Sequence, residues 1–143
     1  MAECSVVGYT AIMMKDLEHI RSKQAFIIDM DGVIYHGDQL LKGVLKFVDW
    51  LTDNGKAFLF LTNSSERSPL ELSQKLARLG VMVDPEHFYT SALATASFLA
   101  SQKPGGSVYV IGEPGLIQAL YDAGFTMNNV NPDYVVMGEG RGY

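Results

Sequence analysis

Short runs of strand-type apolar residues alternate with segments of helical periodicity, and no other feature restricts the fold of this chain so strongly. "AFIID" (25–29) and "AFLFLT" (57–62) are compact apolar runs of the kind buried in parallel sheets. Between them, "GVLKFVDWLTDN" (43–54) places Val44, Phe47, Val48 and Leu51 at i, i+3, i+4 and i+7. That spacing forms one apolar helical face, and Gly55 can close the helix in a left-handed conformation. The clearest helix start is "SPLE" (68–71), where Ser68 suits an N-cap, Pro69 the first turn and Glu71 the reciprocal position of a capping box. Leu72, Leu76 and Leu79 then line one face, and Gly80 ends it. "SALATASFLASQ" (91–102) reads as a further helix capped by Ser91. Beyond the linker "KPGG" (103–106) come a strand "VYVIG" (108–112), a helix "PGLIQALYDAG" (114–124) and a strand "DYVVMG" (133–138). This order predicts an α/β fold, a Rossmann-like parallel sheet with right-handed crossovers. Such sheets bind ligands at the C-terminal ends of their strands, where Asp29 and Thr62 both fall.

Composition narrows the partners. The 143 residues are 48% hydrophobic and 19% charged, enough for a compact domain with a core. A net charge of −5 without a Lys/Arg cluster argues against nucleic acid as a partner. The single cysteine, Cys4, excludes an internal disulfide framework and a cysteine-based zinc site, and it suits a reducing, cytoplasmic location. The run "SVVGYTAIMM" is broken by Gly8 and Thr10, lacks a basic flank and is too short to span a bilayer. Residues 1–23 are therefore expected to be a leader or extension, and no membrane partner is expected.

The first strand ends in "DMDG" (29–32), which admits two readings. One is a β-hairpin, with two apolar runs around a favoured Asp-Gly turn. The other is a phosphate-handling site. A carboxylate that continues an apolar strand is costly without a partner. Period-two alternation carries Asp29 and Asp31 to one side of an extended chain, where like charges call for a shared cation or an exchangeable proton. A hard cation such as Mg²⁺ meets that need with few carboxylates plus water and phosphate. A short ribbon over Val33–Tyr35, covering the site, would reconcile the two readings in part. After the second strand, "TNSS" (62–65) sets a hydroxyl, an amide and backbone N–H groups where a phosphate would lie. The same residue types also make ordinary loops and N-caps.

"DMDGVIYHG", followed one βα unit later by "LTNSS", resembles the haloacid dehalogenase (HAD) superfamily of hydrolases. The first motif there is Asp-x-Asp-Gly, and the second is a Thr or Ser ending the next strand. With "LARLGV", "YTSALATASFLA", "VYVIGEPGL" and "PDYVVMGEG", the chain is similar to the NagD-like, 4-nitrophenylphosphatase type from about Gln24 onward. The resemblance implies an incomplete core over 1–102 and the first part of a large α/β cap over 103–143. It implies a Mg²⁺-dependent phosphatase acting on a small-molecule phosphate ester, a phosphorylated metabolite or a nucleotide. Asp29 would be the nucleophile that becomes an aspartyl-phosphate, and Asp31 the general acid and then the base. Thr62 and Asn63, with Gly32 and the backbone around it, would hold the phosphoryl group. Mg²⁺ would be bound by the Asp29 carboxylate and the Asp31 backbone carbonyl.

The family's third motif, a Lys or Arg, and its fourth, an acidic pair, have no counterpart here. Lys75, inside the helix opened by Ser68, and Lys103, in the linker, read as solvated surface charges. Asp84, Glu86, Glu113, Asp122, Asp133 and Glu139 form no strand-end acidic motif. The expectation is a chain truncated midway through the cap, with bare sheet edges and apolar faces that favour self-association, including a homo-oligomer. The alternative to an enzyme is thus a catalytically incomplete fragment that binds or regulates a full-length homologue. A dinucleotide-binding module is disfavoured, because no glycine fingerprint follows the first strand and "IGEPGL" lacks the full G-x-G-x-x-G pattern. His36 reads as a ribbon residue, His19 and His87 as surface or packing residues, and Trp50 as core or interface.

Overall fold

The computed structural model describes residues 17–140. The expected extension over 1–23 is described only from residue 17, and 17–21 are helical. The elements that follow are β1 (Ala25–Asp29), β2 (Tyr35–His36), β3 (Gln39–Leu40), α1 (Val44–Asp53), β4 (Ala57–Thr62), α2 (Pro69–Arg78), a 3-10 turn (Pro85–His87), β5 (Phe88–Thr90), α3 (Ser91–Gln102), β6 (Ser107–Ile111), α4 (Pro114–Asp122), β7 (Thr126–Met127) and β8 (Tyr134–Met137). The strands form two parallel sheets, ordered β1-β4-β5 and β7-β6-β8, and an antiparallel ribbon of β2 and β3. The α/β expectation is met.

Alternation along the first sheet decides what packs where. Phe26 and Ile28 on β1, with Phe58 and Phe60 on β4, face Val44, Val48 and Leu51 of α1 and Leu72 and Leu76 of α2. Register sets Ala25 opposite Ala57 and Asp29 opposite Leu61, so Ile27 and Leu61 turn to the other face. Ile27 there is 76% exposed and Leu61 43%. Parallel sheets are ordinarily covered on both faces. The expectation that these strands are buried therefore holds for one face only among the described residues. Asp29 shares the open face and is exposed, so the desolvation cost inferred from its apolar strand does not arise.

The second core collects Ala92, Ala96 and Leu99 of α3, Leu116, Ala119 and Leu120 of α4, and Val108, Val136 and Phe125. Helix α3 thus packs with the second sheet, although it precedes the Lys103–Gly106 linker. Its cap is also shifted by one residue from the expected Ser91, since the Leu93 N–H donates to Thr90 Oγ1 at 3.2 Å. Thr90 is buried at the end of β5, and its side chain can serve strand end and helix start together. Lys103 is a surface charge paired with Asp133. The Lys103 ammonium, then the Ser107 backbone N–H, hold the Asp133 carboxyl down to about 2.

The Asp-Gly hairpin does not form. Instead, the Met30 carbonyl accepts the Ile34 N–H at 2.9 Å, closing a tight turn directly after β1. The true hairpin lies further on, pairing Tyr35 with Leu40 and His36 with Gln39. It replaces the ribbon expected over Val33–Tyr35. His36 is exposed in this ribbon, and His87 packs against Phe58 with ring centroids 4.1 Å apart. Trp50 packs between Phe26 and Phe47.

Helix α2 begins with the expected capping box. The Ser68 N–H donates to Glu71 Oε2 at 2.8 Å, and the Glu71 N–H donates to Ser68 Oγ at 3.4 Å. The Ser68 N–H, then its hydroxyl, hold the Glu71 carboxyl below its ordinary value of 4.5. Stabilisation from this pair is fully present above that ordinary value and is lost as pH falls through the lower, folded one. Ser68→Ala should cost about 1 kcal/mol at neutral pH. Urea unfolding should show the difference from the unaltered chain shrinking as the pH drops below 4.5.

Candidate active site

The expected site residues converge where β1 and β4 end. Met30 is fully buried and anchors the chain as it leaves β1, with Asp29 and Asp31 exposed on either side of it. The Asp29 Oδ1 accepts the Met30 N–H at 2.9 Å. Gly32, at φ 77°, supplies the left-handed conformation that the turn needs. Its N–H donates to the Tyr35 carbonyl at 2.8 Å. That donor is engaged within the protein. What Gly32 contributes is the turn.

Thr62, at the end of β4, is buried and paired in register with Thr90. Its Oγ1 accepts the Ser64 N–H at 3.1 Å, which leaves the hydroxyl proton to donate elsewhere. Asn63 is exposed beside it. Asp31, Thr62 and Asn63 line one cavity of about 260 Å³ together with Tyr35, Arg67 and Lys75. Asp29 stands outside that lining, on the open face of the sheet, so the two carboxylates do not share the cavity.

Lys75 corrects the sequence reading. It is buried rather than a solvated surface charge, and its Nζ lies 3.8 Å from the centroid of the Tyr35 ring. A desolvated ammonium over an aromatic face is worth about 2 kcal/mol. Burial, then the nearby Arg67 guanidinium, lower its pKa, while Asp38, Asp31 and Glu66 act against them. Burial, then the negative charge of Asp31, push the Tyr35 phenol up to about 12, so it stays a neutral donor. A sequence signal for Lys75 existed. Leu72, Lys75, Leu76 and Leu79 fall at i, i+3, i+4 and i+7, which puts the lysine within the apolar stripe of α2.

Glu139 is the second residue that the sequence did not reveal. It lines the cavity, and Ser64 Oγ donates to its Oε2 at 2.9 Å across 75 positions of chain. The Glu139 N–H donates to the buried Ser65 Oγ at 3.2 Å. The segment after β4 is held at a further point, where the Gly115 N–H donates to the Glu66 carbonyl at 3.0 Å. Gly115 is a glycine by close approach. A methyl group there would lie 2.7 Å from the Glu66 carbonyl oxygen and 2.7 Å from the Arg67 carbonyl carbon.

Among the described residues, no group of three His, Cys, Asp or Glu side chains is placed to hold a metal. Mg²⁺ commonly takes one or two protein carboxylates, with water and substrate phosphate completing its octahedron. Exposed Asp29 and Asp31 at the strand end fit that partial donor set and no larger one. No helix among the described residues is long and apolar enough to cross a membrane.

A family model described as haloacid dehalogenase-like hydrolase matches residues 26–126. Dihydroxyacetone phosphatase of Corynebacterium glutamicum is 44% identical over 119 residues, 83% of this chain and 43% of that protein. Ribonucleotide monophosphatase NagD of Escherichia coli K12 is 44% identical over 117 residues, 82% of this chain and 46% of that protein. A solved structure of NagD from that strain superposes with a TM-score of 0.77 at 42% identity, over 82% of this chain and 47% of that one. The glycerol phosphate phosphatase of Mycobacterium tuberculosis, solved in complex with magnesium, superposes with a TM-score of 0.74 at 30% identity. That match covers 82% of this chain and 36% of the other. The chain spans about half the length of the curated relatives it matches.

The junction geometry makes a direct prediction. Gly115→Ala should destabilise the protein by about 1–3 kcal/mol, because backbone rather than a flexible side chain must give way. A lowered urea midpoint with an unchanged m-value would report it.

Proposed function

The chain belongs to the haloacid dehalogenase-like hydrolase family, and from that premise we propose that it carries the nucleophile-bearing half of a Mg²⁺-dependent phosphomonoesterase. The observation that supports this reading best is the adjacency of two strand ends. Asp29 lies opposite Leu61, one position before Thr62, so the carboxylates of "DMDG" and the hydroxyl of "TNSS" come together by register. In this proposal residues 1–102 are the incomplete core and 103–143 the opening of a cap, with α3 packed against the latter. The names of the relatives point to small phosphorylated metabolites or nucleotides as substrates.

In the proposed reaction, an Asp29 carboxylate oxygen attacks phosphorus, and the bond from phosphorus to the leaving oxygen breaks. Asp31 gives its proton to that oxygen. Water then attacks the aspartyl-phosphate, Asp31 takes the proton from it, and Asp29 is restored with release of inorganic phosphate. Thr62 donates its free hydroxyl proton to a phosphoryl oxygen, and Asn63 adds an amide donor beside it. Mg²⁺, held by the Asp29 carboxylate and the Asp31 carbonyl oxygen, would supply positive charge between two anions that must meet.

The test is hydrolysis of 4-nitrophenyl phosphate by this chain with and without Mg²⁺. Asp29→Asn should remove turnover altogether, since a neutral amide is too weak a nucleophile to take the carboxylate's place. Asp31→Asn should lower it by roughly 10²–10⁴-fold, the usual worth of a positioned acid or base. Normal turnover in Asp29→Asn would sink the nucleophile assignment.

The face bearing Ile27 on the edge strand β1 and Leu61 on β4, bare among the described residues, favours a second reading in which this chain associates with a full-length homologue or with itself. Association should appear as co-elution with the homologue and a change in its activity. A charged substitution, Ile27→Lys, should abolish both; if co-elution survives it, the open face is not the contact.

A further inference from the structure

Lys75 is a buried cation with weak conventional pairing. Its one ion pair among the described residues reaches Asp38 Oδ1 at 3.9 Å, and that aspartate's side chain is 99% exposed. Water screens such a pair heavily. The closest charge-stabilising neighbour of the ammonium is instead the π-face of Tyr35, at 3.8 Å. Tyr35 is only 4% exposed, so the contact is largely dry, where attraction to the ring quadrupole is strongest.

Tyr35 in turn grips the backbone on both sides of Asp31. Its carbonyl accepts the Gly32 N–H at 2.8 Å, and its N–H donates to the Met30 carbonyl at 3.3 Å. These contacts make Tyr35 and Asp31 bridge partners. Lys75 stands on α2, whose neighbouring Leu72 and Leu76 are locked into the core. The helix is therefore a rigid post, and the tyrosine is the part of the Asp31 turn that it can reach.

We propose that Lys75 is a positioning residue: it clamps Tyr35 from α2 and so fixes the turn that carries Asp31. The clamp is a feature of the fold in its own right, while its value to turnover rests on the reading of Asp31 as the acid. With the clamp closed, the turn keeps Asp31 in the lining of the cavity it shares with Thr62. With it open, Tyr35 and the ribbon of β2 and β3 lose their tie to the core helix, and the turn between Met30 and Tyr35 samples other conformations.

Two variants of the full chain test this. Lys75→Met keeps an unbranched apolar stem and removes the charge, and Lys75→Arg keeps a cation that can lie over the ring. Amide hydrogen exchange at Gly32 and Tyr35 reports the clamp, with Phe60 in the centre of the first sheet as internal reference. Lys75→Met should speed exchange at Gly32 and Tyr35 by about tenfold and leave Phe60 within about twofold. It should also lower kcat for 4-nitrophenyl phosphate by about tenfold with KM little changed, because the substrate's own contacts remain. Lys75→Arg should restore both. Unchanged exchange at Gly32 and Tyr35 would overturn the clamp, and so would an equal rise at Phe60, which would mark a general loss of stability. Faster exchange with unchanged kcat would overturn the positioning role. Exchange needs no turnover, so it decides the clamp even where an Asp31→Asn control keeps full activity and removes Asp31 from the mechanism.

Discussion

The segment from Thr62 to Ser68 is the hinge point on which the rest of the structure depends. It leaves a buried strand at Thr62, starts α2 at Ser68, and between them makes polar ties to Gly115 at the start of α4 and to Glu139 beyond β8. Ser64 and Ser65 hold Glu139, and the Glu66 carbonyl takes the Gly115 amide. Backbone polar groups in a partly buried loop need partners: the loop's own hydroxyls take the Ser64 and Glu66 N–H groups, and the second half of the chain serves the Glu66 carbonyl. The loop that follows Thr62 and Asn63 thus joins the two hydrophobic cores. The cavity beside this loop is lined from the second half of the chain by Glu139.

A one-sided sheet sets the second constraint. The helices α1 and α2 cover Phe26, Ile28, Phe58 and Phe60, while Ile27 and Leu61 face outward. Burying a side chain of this kind is worth about 1.5–3 kcal/mol. Among the described residues these side chains stay bare on a parallel sheet, a kind of sheet ordinarily covered on both faces. The chain spans about half the length of the curated relatives it matches, so their activities belong to longer proteins. Asp29 stands on this same open face while Asp31 lines the cavity.

Within the site, charge is arranged around Tyr35. Asp31 and Asp29 make the phenol harder to ionise, Arg67 makes it easier, and burial dominates both. Lys75 lies against the ring and remains close enough to Asp31 to feel its field. A helix-borne cation, an aromatic ring and a carboxylate-bearing turn are therefore mechanically continuous.

Local patterns were enough to locate most of the elements. Apolar runs marked β1 and β4, the i, i+3, i+4 spacing marked α1, and "SPLE" marked the start of α2 down to its reciprocal hydrogen bonds. These features depend on residues within one or two turns of each other, and so they are written in the sequence itself. "DMDG" and "TNSS" likewise marked the strand ends where the chemistry is proposed, and they carried the resemblance to the family. What the sequence could not decide depends on distant partners. Lys75 looked like a surface charge because its aromatic neighbour is 40 positions away on a ribbon whose register is set by its own turn. Glu139 carried no motif because its role is made by two serines on another core. The Asp-Gly hairpin failed because Met30 is drawn into the core, which bends the chain at that point. Side-chain type and spacing determined the elements and the candidate chemistry; burial, which only packing across the chain can assign, decided which charges are held and which face is left open.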